Sequence, residues 1–376
     1  MSNGRPDWAD RAVAPHILSI PSYVPGKPIA ELQRELGISG AVKMASNENP
    51  LGPSPMALRA LESCLGAMHV YPESSGPDLR AAIAARHGVS PASVILGNGS
   101  DEIMLLAAHI FVRPGDEAVV SQNTFSMYRI AVEAFGGRIA WVPSAGRRFD
   151  LSAMAAAVNE KTRFVFLTVP NNPTGSIISE AEFGSFYKKL PSTGLILVMD
   201  EAYREYVQDS DCPEGSRYMG GTPPVLVLRT FSKIYGLAGL RVGYALGEPW
   251  LIDLLNRVRP PFNVSSAAQA AALAALDDHD HVRRSLELTA QGMAYLESEL
   301  GSMGLDVVPS QANFVTFCLD RNAQPVYEAL LHEGIIVRPL ASFGMECCIR
   351  VTIGTMEQNQ RFVGALRRCL TMRSVY

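Results

Sequence analysis

From residue 94 onward the chain alternates short apolar runs with stretches of helical character, and this alternation restricts the fold more than any other feature. Runs at 94–96 and 118–120 each pass through a polar turn into helical stretches at 103–111 and 129–135. Further runs fall at 138–142, 164–169, 195–199 and 225–228, most of them flanked by Gly or Pro. Strands without a polar face are covered on both sides, so runs of this kind joined through helices imply a mostly parallel sheet between two helical layers. Such a sheet binds ligands beyond the carboxyl ends of its strands. The residues able to do chemistry cluster just past those ends.

The two ends of the chain read differently. Residues 1–43 are rich in proline and short on periodicity, apart from a helical patch at 28–36, and read as an arm laid over another surface. After Pro260-Pro261-Phe262, helices at 266–276 and 281–300 precede a mixture of strands and helices at 312–319, 325–333, 335–338, 348–353 and 357–370, the pattern of a smaller α/β domain. The expected division is an N-terminal arm at 1–43, a large ligand-binding domain at 44–262 and a small C-terminal domain at 263–376. At 376 residues and 47% hydrophobic content the chain can supply both cores.

Composition narrows the partners. A net charge of -4 gives no electrostatic reason to expect nucleic acid. The apolar run at 103–112 is interrupted by His109 and too short for a bilayer, and the first residues lack a signal-peptide core, so a soluble cytoplasmic protein without membrane partners is expected. The six cysteines form no C-x-x-C pair, and reduced thiols are expected. Asp277-Asp278-His279-Asp280-His281 has metal-like spacing but reads better as a solvated turn between two helices, so no metal is expected.

Chemistry enters with Lys233, which follows the run at 225–228 and precedes Gly236, Gly239 and Gly243. A lysine at the lip of a buried strand loses solvation of its charged form; its amine is then more readily neutral and can condense with an aldehyde. Taken alone it is a lysine in a glycine-rich turn. The rest of the chain supplies what pyridoxal phosphate needs. In Gly97-Asn98-Gly99-Ser100-Asp101, Gly99 lets the backbone approach an anion and Ser100 or Asp101 can cap a helix, while Arg241 and Ser232 add a cation and a hydroxyl for a phosphate. Asp200 ends an apolar run, where an ionised carboxylate needs a partner such as a protonated pyridine nitrogen. Tyr203 and, in Pro170-Asn171-Asn172-Pro173-Thr174-Gly175, Asn172 can donate to the ring oxygen. Phe125 and Tyr128 offer a face for stacking, or pack into the core. Arg350, within the apolar Cys348-Ile349-Arg350-Val351, calls for an anion: a substrate carboxylate, or a local Asp or Glu. Arg338 is similarly placed for a second anionic group.

Together these motifs resemble the fold-type I pyridoxal-phosphate aminotransferases, and within them the histidinol-phosphate aminotransferases. The likeness runs from Tyr23 through Ala45-Ser46-Asn47-Glu48-Asn49-Pro50, Tyr71-Pro72, Gly97-Asn98-Gly99-Ser100-Asp101-Glu102, Asp200-Glu201-Ala202-Tyr203 and Thr230-Phe231-Ser232-Lys233 to Arg350-Val351-Thr352-Ile353-Gly354-Thr355. It implies that Lys233 tethers the cofactor and shuttles the substrate's α proton, with Asp200 at the pyridine nitrogen, Tyr203 and Asn172 at the ring oxygen and Phe125 stacked on the ring. Ser100, Asp101, Ser232 and Arg241 would hold the cofactor phosphate, joined by Tyr71 from a second subunit, so that a homodimer shares its active sites. Arg350 would take the substrate carboxylate, and Arg338 with Tyr23 the phosphate of histidinol phosphate. Many relatives carry Tyr in place of Phe125; stacking survives that change, but a hydroxyl that could touch substrate is lost. The implied reaction is ping-pong amino transfer between histidinol phosphate with imidazole-acetol phosphate and glutamate with 2-oxoglutarate, in L-histidine biosynthesis. The competing readings are an aromatic amino-acid aminotransferase on the same scaffold, a catalytically silent pyridoxal-phosphate-binding regulator, for which the chain lacks a basic DNA-binding domain, and a lyase or decarboxylase.

Overall fold

In chain order the strands are β1 (Val42–Lys43), β2 (Val94–Gly97), β3 (Glu117–Ser121), β4 (Arg138–Val142), β5 (Thr162–Thr168), β6 (Ile196–Asp200), β7 (Val225–Thr230), β8 (Gly243–Leu246), β9 (Asp306–Val308), β10 (Phe314–Cys318), β11 (Ile335–Ile336), β12 (Arg338–Pro339) and β13 (Cys348–Thr352). They are seen in a computed structural model that describes residues 6–22 and 26–371. Seven of them form the main sheet, in the order β2-β8-β7-β6-β5-β3-β4. Strands β2, β6, β7 and β8 are buried along their whole length, which is why their residues are apolar on both faces. One face packs under Leu79, Ile83, Phe183 and Ala272, and the other under Ile103, Ala107, Tyr128 and Leu255. The fold is α/β, as the alternation of runs implied. One strand escaped that reading: β8 lies inside the glycine-rich stretch after Lys233, and it pairs antiparallel with both β7 and β2.

A second, antiparallel sheet has the order β12-β13-β10-β9. The helices His279–Ser302 and Met356–Thr371 cover it, and Leu296, Phe317, Val351, Phe362 and Leu366 form its core. β1 pairs in parallel with β11, so the chain leaving the N-terminal region is fastened to the smaller layer before it reaches the main sheet. Helices at Asp7–Ala12 and Pro15–Ser19 add to the patch expected in the arm, observed at Ile29–Leu36.

Two expectations are corrected. Cys318 and Cys348 were expected as thiols, but they lie opposite each other in the β10/β13 register and are joined as a disulfide. Thirty residues separate them in sequence, and only antiparallel pairing brings them together. The turn at 277–281 is not wholly solvated either. Asp278 caps the helix His279–Ser302 by accepting from the His281 amide at 3.1 Å, accepts from Ser54 Oγ at 2.6 Å, and is buried with His281. Its carboxylate is committed to structure.

Candidate active site

Because β2 runs the same way as the parallel strands, the segments leaving β2, β3, β5, β6 and β7 converge on one edge of the main sheet. There they line a cavity of about 420 Å³, closed on the far side by β12 and β13 of the smaller sheet. Ser100, Asp101, Phe125, Asn172, Asp200, Tyr203, Ser232, Lys233, Arg241, Arg338 and Arg350 all reach it.

One end of the cavity is built for an anion. Gly99 adopts φ 78° immediately before the helix Ser100–Phe111, and among the described residues no side chain caps that helix. A Cβ on Gly99 would lie 2.5 Å from Nη2 of Arg241, so only glycine lets the guanidinium come so close to the helix start. The same Nη2 sits 3.5 Å from Asp101 Oδ2. Burial raises the Asp101 pKa, against the opposing pull of Arg241 and Lys233. Thr230 Oγ1 takes the Ser232 amide at 3.1 Å and fixes the turn that carries Ser232 and Lys233.

In the middle stand the amine and the buried acid. Lys233 Nζ donates to the Ser46 carbonyl at 3.1 Å and lies 5.7 Å above the Tyr203 ring. Burial, and then the charge of Arg350, lowers its pKa from 10.5 to about 8. Asp200 is 3% exposed, and burial raises its pKa to about 6. Its Oδ2 accepts from Tyr128 Oη at 2.7 Å and its Oδ1 from the Ala202 amide at 3.1 Å. Tyr128 is therefore neither stacking cover nor plain core: it stands behind the acid.

Beyond the amine lie the two arginines, opposite each other in the β12/β13 register. Arg350 donates through Nη1 to Asn172 Oδ1 and through Nη2 to the Ala45 carbonyl at 2.6 Å, with its guanidinium 5.2 Å from the Phe314 ring centre. Arg338 lies 5.8 Å from the Phe343 ring centre. Of the expected residues that the structure describes, Gly99 and Tyr71 do not line the cavity. Tyr71 is 78% exposed and stacks on Phe262 at 4.7 Å; Tyr23 falls outside the described residues.

The segment 45–47 lies within the likeness described above, but the sequence assigned its residues no role in the site. Ala45 meets Arg350, Ser46 meets Lys233, and Asn47 Nδ2 donates to the Tyr203 hydroxyl at 2.8 Å. Asn47 at φ 56° is the local signal, since asparagine tolerates the left-handed region better than most residues.

These residues fit a flat, phosphorylated aromatic aldehyde with a basic ring nitrogen. The Gly99 cradle, which any Cβ would fill, suits its phosphate, and the raised Asp200 gains a partner from its nitrogen.

Residues 39–366 match the family described as aminotransferase class I and II. The chain is 49% identical over 355 residues to a histidinol-phosphate aminotransferase of Moorella thermoacetica, covering 94% of this chain and 92% of the relative. It is 47% identical to a histidinol-phosphate aminotransferase of Nitrosococcus oceani, with coverages of 93% and 94%. A crystal structure of histidinol-phosphate aminotransferase from Sinorhizobium meliloti in complex with pyridoxal-5'-phosphate is similar at TM-score 0.88 and 30% identity, covering 96% of this chain and 98% of that one.

Proposed function

The chain belongs to the class I and II aminotransferases, and from that premise we propose that it transfers an amino group between histidinol phosphate and 2-oxoglutarate, with pyridoxal phosphate as cofactor, in L-histidine biosynthesis. The observation that carries this reading is one cavity holding an amine of lowered pKa, a buried acid, a glycine-lined anion cradle and two arginines in register.

When bound, the cofactor supplies the carbonyl that takes up the amino group and the electron sink for the carbanion at the substrate's α carbon. Lys233 Nζ, neutral in a substantial fraction near pH 8, is the amine that tethers it and then the base that accepts the proton from that α carbon. Asp200 pairs with the ring nitrogen, and Tyr203 with Asn172 holds the ring oxygen. The engaged Oδ1 of Asn172 leaves its amide nitrogen as the donor. Phe125 covers the ring. Ser100, Asp101, Ser232 and Arg241 surround the cofactor phosphate. Arg350 takes the carboxylate of glutamate, and Arg338 with Tyr23 takes the phosphate of histidinol phosphate.

The proposal extends to a cytoplasmic homodimer with shared active sites. Leu65, Met68, Val70 and Tyr71 expose 63%, 43%, 58% and 78% of their surface, and Phe262 stacks beside them. A patch of that kind supports contact with a second copy, whose Tyr71 would complete the phosphate site. Among the described residues no helix is long and apolar enough to cross a membrane.

Borohydride treatment of the cofactor-loaded protein followed by peptide mapping should label Lys233; an unlabelled lysine overturns the assignment. Substrate class is tested by Arg338→Ala, which should raise KM for histidinol phosphate roughly 10- to 100-fold, the value of a charge-assisted pair, and leave phenylalanine nearly unaffected. Equal losses would favour an aromatic amino-acid aminotransferase.

A further inference from the structure

Asn47 is 1% exposed and has its polar groups engaged on three sides. Its amide N–H donates to Thr352 Oγ1 at 2.9 Å, and its Oδ1 accepts from the same hydroxyl at 3.1 Å. Its carbonyl accepts from Asn313 Nδ2 at 3.0 Å. Its Nδ2 donates to the Tyr203 hydroxyl at 2.8 Å. Thr352 ends β13 and Asn313 immediately precedes β10, so both belong to the smaller sheet, whereas Tyr203 follows β6 of the main sheet. One buried side chain therefore spans the two layers at the cavity wall. The backbone reinforces the joint: the Thr352 amide donates to Met44 O at 2.8 Å, and β1 is paired with β11.

We propose that Asn47 is a positioning residue: its amide nitrogen holds the Tyr203 hydroxyl at the angle at which Tyr203 meets the cofactor's ring oxygen, and so ties that contact to the seating of the smaller sheet. The inference rests on the cofactor assignment above. With Oδ1 taking the Thr352 hydroxyl, the amide presents Nδ2 to the phenol oxygen. A hydroxyl donor held against the ring oxygen favours that oxygen's anionic form; a misdirected hydroxyl favours it less.

The test is the pH at which the visible absorbance of the bound cofactor changes. Asn47→Gly keeps the left-handed backbone and removes the amide facing Tyr203 without placing a charge beside the cofactor. It should move the midpoint upward by about one pH unit, the scale of one hydrogen bond to the charged form. Tyr203→Phe should move it in the same direction, and the double variant should match Tyr203→Phe alone, because the first change acts through the second. Asn47→Ala, equally uncharged, should give the same result where the glycine variant does not fold. Shifts that sum in the double variant, or an unmoved midpoint with only a lower melting temperature of the cofactor-free protein, overturn the proposal and leave Asn47 as a structural joint. A wild-type protein with no visible band overturns the cofactor assignment itself, and this role with it.

Discussion

The phenol oxygen of Tyr128 lies 2.7 Å from Oδ2 of Asp200 and 2.6 Å from Thr168 Oγ1, on a ring that is fully buried. Burial, and then the Asp200 charge, keeps the phenol pKa well above 10, so the group remains a donor at any working pH. Its bond pulls the Asp200 pKa down against the burial that raises it to about 6.

Removing that donor should leave Asp200 neutral over a wider range. Tyr128→Phe retains the ring stacked on Phe166 at 4.6 Å and deletes the hydroxyl, with its bonds to Asp200 and Thr168. The expected result is an acid limb of the kcat/KM profile displaced to higher pH, with a loss of about tenfold at pH 7, the scale of a hydrogen bond to a charged group. In the cofactor-free protein the folded state holds more protons than the unfolded one between 3.8 and about 6, so stability falls as pH rises through that window. The variant should extend the fall upward. A rate loss uniform in pH would count against this role.

Lys233 carries the opposite sign. Its pKa is about 8 in the folded protein against 10.5 for an ordinary lysine, so the folded state binds fewer protons between those values and stability rises with pH there. The rate at which the cofactor-free protein takes up pyridoxal phosphate should climb with pH and level off above about 8, where the amine is neutral. Arg350 is the largest charge holding the value down after burial, so Arg350→Gln should displace that midpoint upward. Stopped-flow absorbance across the pH range reads both, and an unchanged midpoint in the variant would show that the Arg350 charge does not hold the value down.

Six of the seven strands of the main sheet were legible because each is an apolar run between turn residues, and Asp200 and Lys233 were legible because each is a charge at or just past the end of such a run. What stayed hidden depends on pairing across long separations. Strand β8 carries Gly243 and Tyr244 within a glycine-rich stretch and is a strand only because β2 and β7 flank it. The Cys318–Cys348 link needs the β10/β13 register. The segment 45–47 reads as a turn by composition; its contacts with Arg350, Lys233 and Tyr203 exist because β1 is fastened to β11. Tyr128 was weighed as a stacking surface, and the partner that defines it lies 72 residues away.

The anion cradle makes a prediction that separates space from backbone strain. Gly99→Ala puts a methyl 2.5 Å from Arg241 Nη2 at a residue with φ 78°, so the guanidinium must leave the helix start. Gly115→Ala has a comparable φ of 95° but nothing within 4 Å of the new methyl. The positive-φ backbone alone should cost each variant about 1–3 kcal/mol of stability, with Gly99 at the upper end because its ψ of 164° lies in a region open essentially to glycine. Only Gly99→Ala should raise the dissociation constant for pyridoxal phosphate, by about tenfold for the loss of one charge-assisted contact. Spectroscopic titration of the two variants decides it: equal affinities would mean that Arg241 does not hold the phosphate.

On the other side of the strands that carry Asp200 and Lys233, Arg229 is surrounded by three carboxylates. Its Nε is 2.7 Å from Glu201 Oε2, with Glu205 and Glu214 each at 3.2 Å. Arg229 is 5% exposed and Glu201 is fully buried. Burial works against the arginine's charge, and the carboxylates more than restore it. Burial raises the Glu205 pKa even with Arg229 present. Arg229→Met should therefore cost about 3–5 kcal/mol, because it strands buried carboxylates without a cation. The sign with pH follows: without the arginine the folded carboxylates bind protons more tightly than the unfolded ones, so the variant should lose more stability at pH 8 than at pH 5. Urea unfolding at the two pH values measures the difference, and Arg229→Lys should recover part of it, since one ammonium cannot meet all three acids in the arginine's geometry. A loss independent of pH would mean that the volume of the side chain, rather than its charge, holds this side of the sheet together.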